Sequence, residues 1–297
     1  MTSSCRDPLV SGADRCLRLK APVVIVGLGE LGGEFAKGFL RLGHPVVPVL
    51  RGMDPGEVAE AVPGPELVLV TVAEGDLHPT LAQIPPRWRD RLVLVQNELT
   101  PADWRRHGLE NVTVALVWFE KKPGQALTDI LFTPVYGPKA DRIIEALERL
   151  KVKTRLLRRE DELIFELARK SLYILTLNIA ALAVDTTVGE LWHRHQDLVG
   201  RVAAEVLTVL ERRFGRPLPR EALIEAMAEG IADCPDRRAR GRRAGERLAR
   251  VLAEARQAGI EVPVLASVAE TAQSPERSGC GTVMPFAPQP CPDPGKP

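Results

Sequence analysis

The sequence predicts an α/β domain followed by an all-helical one, and three observations predict it. Short, nearly continuous apolar runs alternate with helical or loop segments between Pro22 and Arg158. A glycine-rich turn, Gly27-Leu28-Gly29-Glu30-Leu31-Gly32, directly follows the first of those runs. From Asp161 onward the strand-like runs cease and long helical patterns replace them.

The apolar runs occupy residues 23–26, 46–50, 67–72, 92–95 and 112–118 and are rich in Val and Leu. A strand with one wet face alternates apolar and polar side chains. These runs do not alternate, so they read as strands covered on both faces, as in a parallel sheet between helices. Between the first two runs, Leu31, Phe35, Phe39 and Leu42 recur at the spacing of a helix packed on a sheet. Gly43 suits its C-terminal stop. Repeated strand, helix, strand is α/β architecture.

In the second half the patterns predict helices over residues 162–184, 191–214, 220–231 and 242–259. Residues 172–184 are apolar on nearly every face, which places that helix in the middle of a helical domain. The expected division is a flexible extension over residues 1–20, a dinucleotide-binding domain over 21–159, a helical substrate or dimerisation domain over 160–272, and a tail over 273–297. The tail is rich in Pro, Ser, Gly and Cys and is expected to be disordered.

Composition narrows the function classes. The chain has 297 residues, enough for two domains with sizeable cores. Its 40 basic and 39 acidic residues nearly cancel, so no nucleic-acid partner is expected. No apolar run reaches the roughly 18 residues of a membrane span, and residues 1–20 do not read as a secretory signal. The five cysteines (Cys5, Cys16, Cys234, Cys280, Cys291) show no paired ligand spacing. They read as free thiols of a reducing, cytoplasmic setting, with no metal site.

Gly27 to Gly32 form a GxGxxG motif between a buried strand and a helix, which is the context that gives the motif meaning. The first glycine permits the tight turn, the second lets backbone approach a pyrophosphate, and the third lets helix and strand pack closely. The helix N-terminus offers its N–H groups to the phosphates. Gly27, Leu28, Gly29, Glu30, Leu31 and Gly32 are therefore the candidate cofactor-binding residues of a Rossmann domain. NAD-binding domains place a carboxylate at the end of the second strand for the ribose hydroxyls. Here that place holds Arg51, whose guanidinium matches a 2′-phosphate in charge and geometry, so NADP(H) is the expected cofactor.

With these motifs in view, the chain resembles the ketopantoate reductase (2-dehydropantoate 2-reductase) family over residues 22–265, as a divergent member. Three segments carry the resemblance: Val95-Gln96-Asn97-Glu98, like the family's Asn-Gly segment after the fourth strand; Ala168-Arg169-Lys170 through Asn178 to Val188-Gly189-Glu190-Leu191, like its lysine helix and closing turn; and Gly259-Ile260-Glu261-Val262-Pro263. The resemblance implies an NADP-dependent reductase of a 2-oxo acid or related carbonyl compound, with Lys170 as the catalytic proton donor. Asn97 would lie between nicotinamide and substrate, and Asn178 would face the same cleft. The implied substrate is a small carboxylate-bearing carbonyl compound, and a homodimer is an allowed assembly.

The chemistry itself asks for a donor where hydride arrival leaves negative charge on the carbonyl oxygen. An ammonium near apolar walls suits that task, because burial lowers its proton affinity. By position alone Lys170 is equally a surface residue at a helix start.

Several positions depart from the family pattern. Ile174 stands where a second Asn is expected, and the segment Thr71-Val72-Ala73-Glu74 lacks the family's lysine after the third strand. Gly245 stands where a carboxylate falls before the last long helix, with Glu246 one position late. A shift of one helical residue turns a side chain by about 100°, so Glu246 substitutes only if that helix begins differently. These losses keep two alternatives open: a catalytically degenerate dinucleotide-binding sensor, and a reductase of an imine or other carbonyl substrate on the same scaffold.

Overall fold

The computed structural model describes residues 20–121, 124 and 127–273. All but the last residue of the expected N-terminal extension, and all but the first of the expected tail, lie outside these residues, as do Cys5, Cys16, Cys280 and Cys291.

The first half builds a doubly wound sheet. Its elements are β1 (Val23–Val26), α1 (Glu30–Arg41), β2 (Val46–Val49), α2 (Pro55–Ala61), β3 (Val68–Val70), α3 (Leu77–Gln83), β4 (Leu92–Leu94), α4 (Pro101–Arg105) and β5 (Thr113–Ala115). There follow β6 (Phe119–Glu120), β7 (Thr128–Asp129), β8 (Thr133–Tyr136), α5 (Ala140–Glu148) and β9 (Thr154–Leu156). The strand order is β2-β1-β3-β4-β5-β8-β9. β1 to β5 are parallel, β8 runs antiparallel to β5, and β9 runs parallel to β8.

The continuous apolar runs are explained by where their residues go. Val24, Val26, Val68, Val70, Leu92 and Leu94 face one core, with Leu77, Leu81 and Trp88. Their strand neighbours Val23, Ile25, Leu67, Leu69 and Val93 face the other, against Phe35 and Phe39 of α1 and Ile143 and Leu147 of α5. Both faces are covered, so neither parity along a strand is polar. The chain order reverses between β1 and β3, and in open α/β sheets the crevice at such a reversal, beyond the carboxyl ends of the strands, receives the ligand.

The second half contains α6 (Glu160–Ala183), α7 (Val188–Arg194), α8 (Gln196–Phe214), α9 (Arg220–Asp233), α10 (Ala244–Ala258) and α11 (Pro263–Gln273). α6 is the axis of this half, packed by α7 to α11. Leu172, Leu175, Leu177, Ile179 and Ala180 are buried in the helical core, while Leu163 and Leu167, near its start, belong to a sheet core instead.

Two helix expectations need correction. The single helix expected over residues 191–214 is two, because His195 leaves helical geometry (φ −128°, ψ 35°) and the chain turns there without a Gly or Pro to mark it. The helix after Gly259 was not expected. Its Pro263 start is preset for a first helical position, and the Val264 and Leu265 N–H groups donate to the Glu205 carboxylate of α8 at 2.9 Å each. No helix among the described residues is long and apolar enough to cross a membrane.

Candidate active site

The glycine turn is built as its motif requires. Gly27 takes φ +89°, and a Cβ at Gly32 would lie 2.6 Å from the Gly27 carbonyl oxygen and 2.7 Å from the Thr71 hydroxyl. Gly29 differs: a Cβ there would meet nothing within 4 Å, so the space in front of it is open. No side chain caps α1, which leaves its first-turn N–H groups to an incoming anion. A hollow of about 540 Å³ beside this turn is lined by Gly27, Leu28, Gly29, Arg51, Thr71 and Ala73, among others. Arg51 rises from its rim almost fully exposed, with Asp76 at 3.9 Å. Glu30 is exposed and Leu31 half-buried at the start of α1. This turn is open and rich in N–H donors, and Arg51 stands exposed on the rim of the hollow beside it.

Lys170, on α6, is buried, 4% exposed. Its ammonium donates to the Val117 carbonyl at 2.8 Å and lies 5.8 Å from the centre of the Trp118 ring. Burial is the main influence on it. Opposed by Glu74 and assisted by Arg247, burial brings Lys170 down to about 7 from the ordinary lysine value. Trp118 and Phe119 are both buried, and Trp118 meets Tyr173 edge to face.

Asn97 follows β4 at the carboxyl edge of the sheet. Its amide donates to Glu74 at 3.1 Å, and it lines a cleft of about 460 Å³ with Glu74, Glu98, Arg213, Arg250 and Glu254. Asn178 lies two turns beyond Lys170 on α6 with both ends of its amide engaged. Its nitrogen donates to the Ala239 carbonyl at 3.2 Å, and its oxygen accepts from Arg247 at 3.0 Å.

Around these residues stands an ion cluster that the sequence reading did not find. The Glu98 carboxylate is buried and accepts from Arg250 at 2.7 Å, Arg247 at 3.0 Å and Arg213 at 3.3 Å. Burial pushes the Glu98 carboxyl up, but Arg250, Arg213 and Arg247 outweigh it and hold it below the usual carboxylate value. Its backbone is left-handed (φ +59°), a conformation that favours glycine. The signal was present: Glu98 occupies the glycine position of the Asn-Gly segment that residues 95–98 resemble.

No family model matches the sequence, and no curated protein matches it. Solved structures do match. A ketopantoate reductase of the PanE/ApbA family from Ralstonia eutropha is 17% identical, with a TM-score of 0.60 over 85% of this chain and 97% of that one. A dimeric ketopantoate reductase from Staphylococcus aureus is 14% identical, with a TM-score of 0.57 over 85% and 97%. D-mandelate dehydrogenase, in its ternary structure with NADH and anilino(oxo)acetate, is 12% identical, with a TM-score of 0.60 over 84% and 96%.

The fold is that of the ketopantoate reductases. On that scaffold the departures noted in the sequence have definite places. Ile174 packs against the helical core. Ala73 lines the hollow beside the glycine turn, and Glu74 puts a carboxylate next to it in the cleft. α10 begins at Ala244, so Glu246 turns outward to pair with Arg243 at 3.8 Å. Its neighbour Arg247 turns inward instead.

Of the basic run near residue 240, Arg237 pairs with Glu120, and Arg238 with Asp185 at 2.9 Å. Among the described residues no group of His, Cys, Asp and Glu is arranged to hold a metal ion.

Proposed function

We propose that this protein is an NADP(H)-dependent reductase of a small carbonyl compound, with 2-oxo acids the first class to test. The observation that carries the reading is the placement of Lys170. A buried lysine on α6 donates to the Val117 carbonyl just after β5, under the opposed influence of Glu74 after β3 and Arg247 of α10. Its neighbour Glu74 is also the partner of Asn97.

NADPH, when bound along Gly27 to Gly32 with its 2′-phosphate at Arg51, would supply hydride to the carbonyl carbon. Lys170 holds the matching proton at Nζ for the carbonyl oxygen, whose negative charge grows as the carbon is reduced. A proton affinity near neutrality lets that amine give up its proton and regain one from water in each cycle. Asn97, at the mouth of the cleft, orients the substrate. Asn178 acts through the partners it holds, since its amide is already engaged. A homodimer is the assembly to expect, as reported for the Staphylococcus aureus structure.

One observation favours a second reading, a dinucleotide-binding sensor without turnover. The cleft arginines Arg213, Arg247 and Arg250 are all paired with carboxylates, so a substrate carboxylate meets no unpaired cation among them. Thermal-shift titration with NADPH, followed by an NADPH-oxidation screen over 2-oxo acids, other carbonyl compounds and cyclic imines, separates the two. The proposal expects both stabilisation and turnover that Lys170→Ala abolishes. Stabilisation without turnover of any compound supports the sensor, and no shift at millimolar cofactor overturns both.

A further inference from the structure

Arg247 is 9% exposed and spends all three guanidinium nitrogens on different elements. Nε donates to Glu98 after β4 at 3.0 Å, Nη1 to Asn178 on α6 at 3.0 Å, and Nη2 to Glu74 after β3 at 3.2 Å. The Glu74 oxygen that accepts from Arg247 also accepts from the Asn97 amide at 3.1 Å. Both candidate amides thus take their orientation from one side chain. A guanidinium can only donate, so Asn178 must turn its oxygen toward Arg247 and its nitrogen toward Ala239. Asn97 in turn is fixed through the shared carboxylate.

We propose that Arg247 is the positioning residue of this cleft, holding Asn97, Glu98 and Asn178 in register around Lys170 and setting the charge that Lys170 meets. The proposal rests on the reading of Lys170 as proton donor. Its physical basis is the rigid fork of the guanidinium, which serves three acceptors in one plane where an ammonium is a single point. The groups acting on Lys170 are opposed in sign: Arg247 disfavours its ammonium and Glu74 favours it. On its own helix Glu166 is paired with Arg155 and with Arg169. Glu98, which also accepts from Arg247, is shared with Arg213 and Arg250.

The test compares Arg247→Met, Arg247→Lys and Glu74→Gln in the full chain. The Nζ titration of Lys170 is followed by NMR of lysine-labelled protein, assigned with Lys170→Met, alongside the pH profile of kcat/KM. Removing the positive neighbour in Arg247→Met raises the Lys170 midpoint by about one pH unit. Glu74→Gln lowers it by a similar amount and decides the matter if Arg247→Met does not fold. Arg247→Lys keeps the midpoint within a few tenths but lowers kcat about tenfold, because one ammonium cannot orient both amides. A folded Arg247→Met or Glu74→Gln with an unmoved Lys170 midpoint overturns the proposal. Midpoints that move as stated, in a protein that oxidises NADPH with no compound, uphold the positioning role and overturn the reductase reading instead.

Discussion

Glu98 and Arg250 meet at 2.7 Å across the cleft between the sheet and the helical half. The carboxylate comes from the loop after β4 and the guanidinium from α10, with Arg213 and Arg247 on the same carboxylate. Removing one member of such a buried cluster leaves the others desolvated without a partner. Glu98→Gln is therefore expected to lower unfolding free energy by about 3 kcal/mol in urea denaturation at neutral pH. Glu98→Gly should be milder by about 1 kcal/mol, because glycine takes the left-handed backbone without strain. The folded carboxyl lies below its unfolded value, so its stabilisation is present above the unfolded value and fades as pH falls through the folded one. The penalty of Glu98→Gln must shrink with acidification, and a penalty independent of pH contradicts the ion-cluster account.

The glycine turn allows two substitutions with opposite signatures. A methyl group at Gly32 collides with the Gly27 carbonyl and the Thr71 hydroxyl, so Gly32→Ala should lower the melting temperature by several degrees whether or not cofactor is present. At Gly29 the methyl group meets only open space in the protein. Gly29→Ala should melt like the parent yet bind NADPH at least about tenfold more weakly, because the methyl occupies the approach of the pyrophosphate. Unchanged NADPH affinity in Gly29→Ala would remove the dinucleotide from this turn.

The proposed NADP(H) preference rests on Arg51. It is exposed and its contact with Asp76 is long, so a surface pair of this kind contributes little to the fold. Arg51→Ala should leave the melting temperature unchanged and weaken NADPH binding about tenfold or more, with NADH binding unaltered. Equal losses for both cofactors in isothermal titration calorimetry count against a 2′-phosphate contact.

Lys170 carries a stability cost as well as a proposed chemical role. Its folded proton affinity is lowered to about 7, so the native state disfavours the charge that the unfolded chain keeps up to the ordinary lysine value. Stability attributable to this group is lowest below that folded value and grows as pH rises through the interval between the two. Lys170→Met should abolish turnover, retain NADPH binding and melt a few degrees higher at pH 7, an advantage that narrows toward pH 10. A lysine variant that melts lower at pH 7 and shows no such narrowing would place Lys170 among the structural residues.

What was legible in the sequence followed from strong local physics. Five continuous apolar runs and the glycine turn sufficed for the parallel sheet, because strands covered on both faces leave no polar parity. β8 and β9 were hidden. Pro134 in β8 argues against a strand paired on both sides, and the Thr-Arg-Leu of β9 is too short and too exposed to show a pattern. The cleft was half legible. Lys170, Asn97 and Asn178 could be named as candidates from the sequence, but the partners that α10 brings to them depend on its first residue. A start at Ala244 turns Arg247 inward and Glu246 out, and nothing local in Gly241 to Arg247 marks that start. The partners of Glu98 lie more than a hundred residues away in the chain, beyond any periodicity.

α6 links the two halves in a way that a boundary at residue 159 conceals. Its first turns place Leu163 and Leu167 in a sheet core, and its later turns place Leu172 to Ala181 in the helical core, with Lys170 at the crossing. A continuous helix shared by two cores couples their melting, since fraying at either end strips apolar side chains from the other half's packing. The whole chain should therefore lose its tertiary signals in a single transition by near-ultraviolet circular dichroism and calorimetry. A fragment cut before Glu160 would lack the two leucines that close its own sheet, and Lys170 exists as a buried amine only while both cores stand.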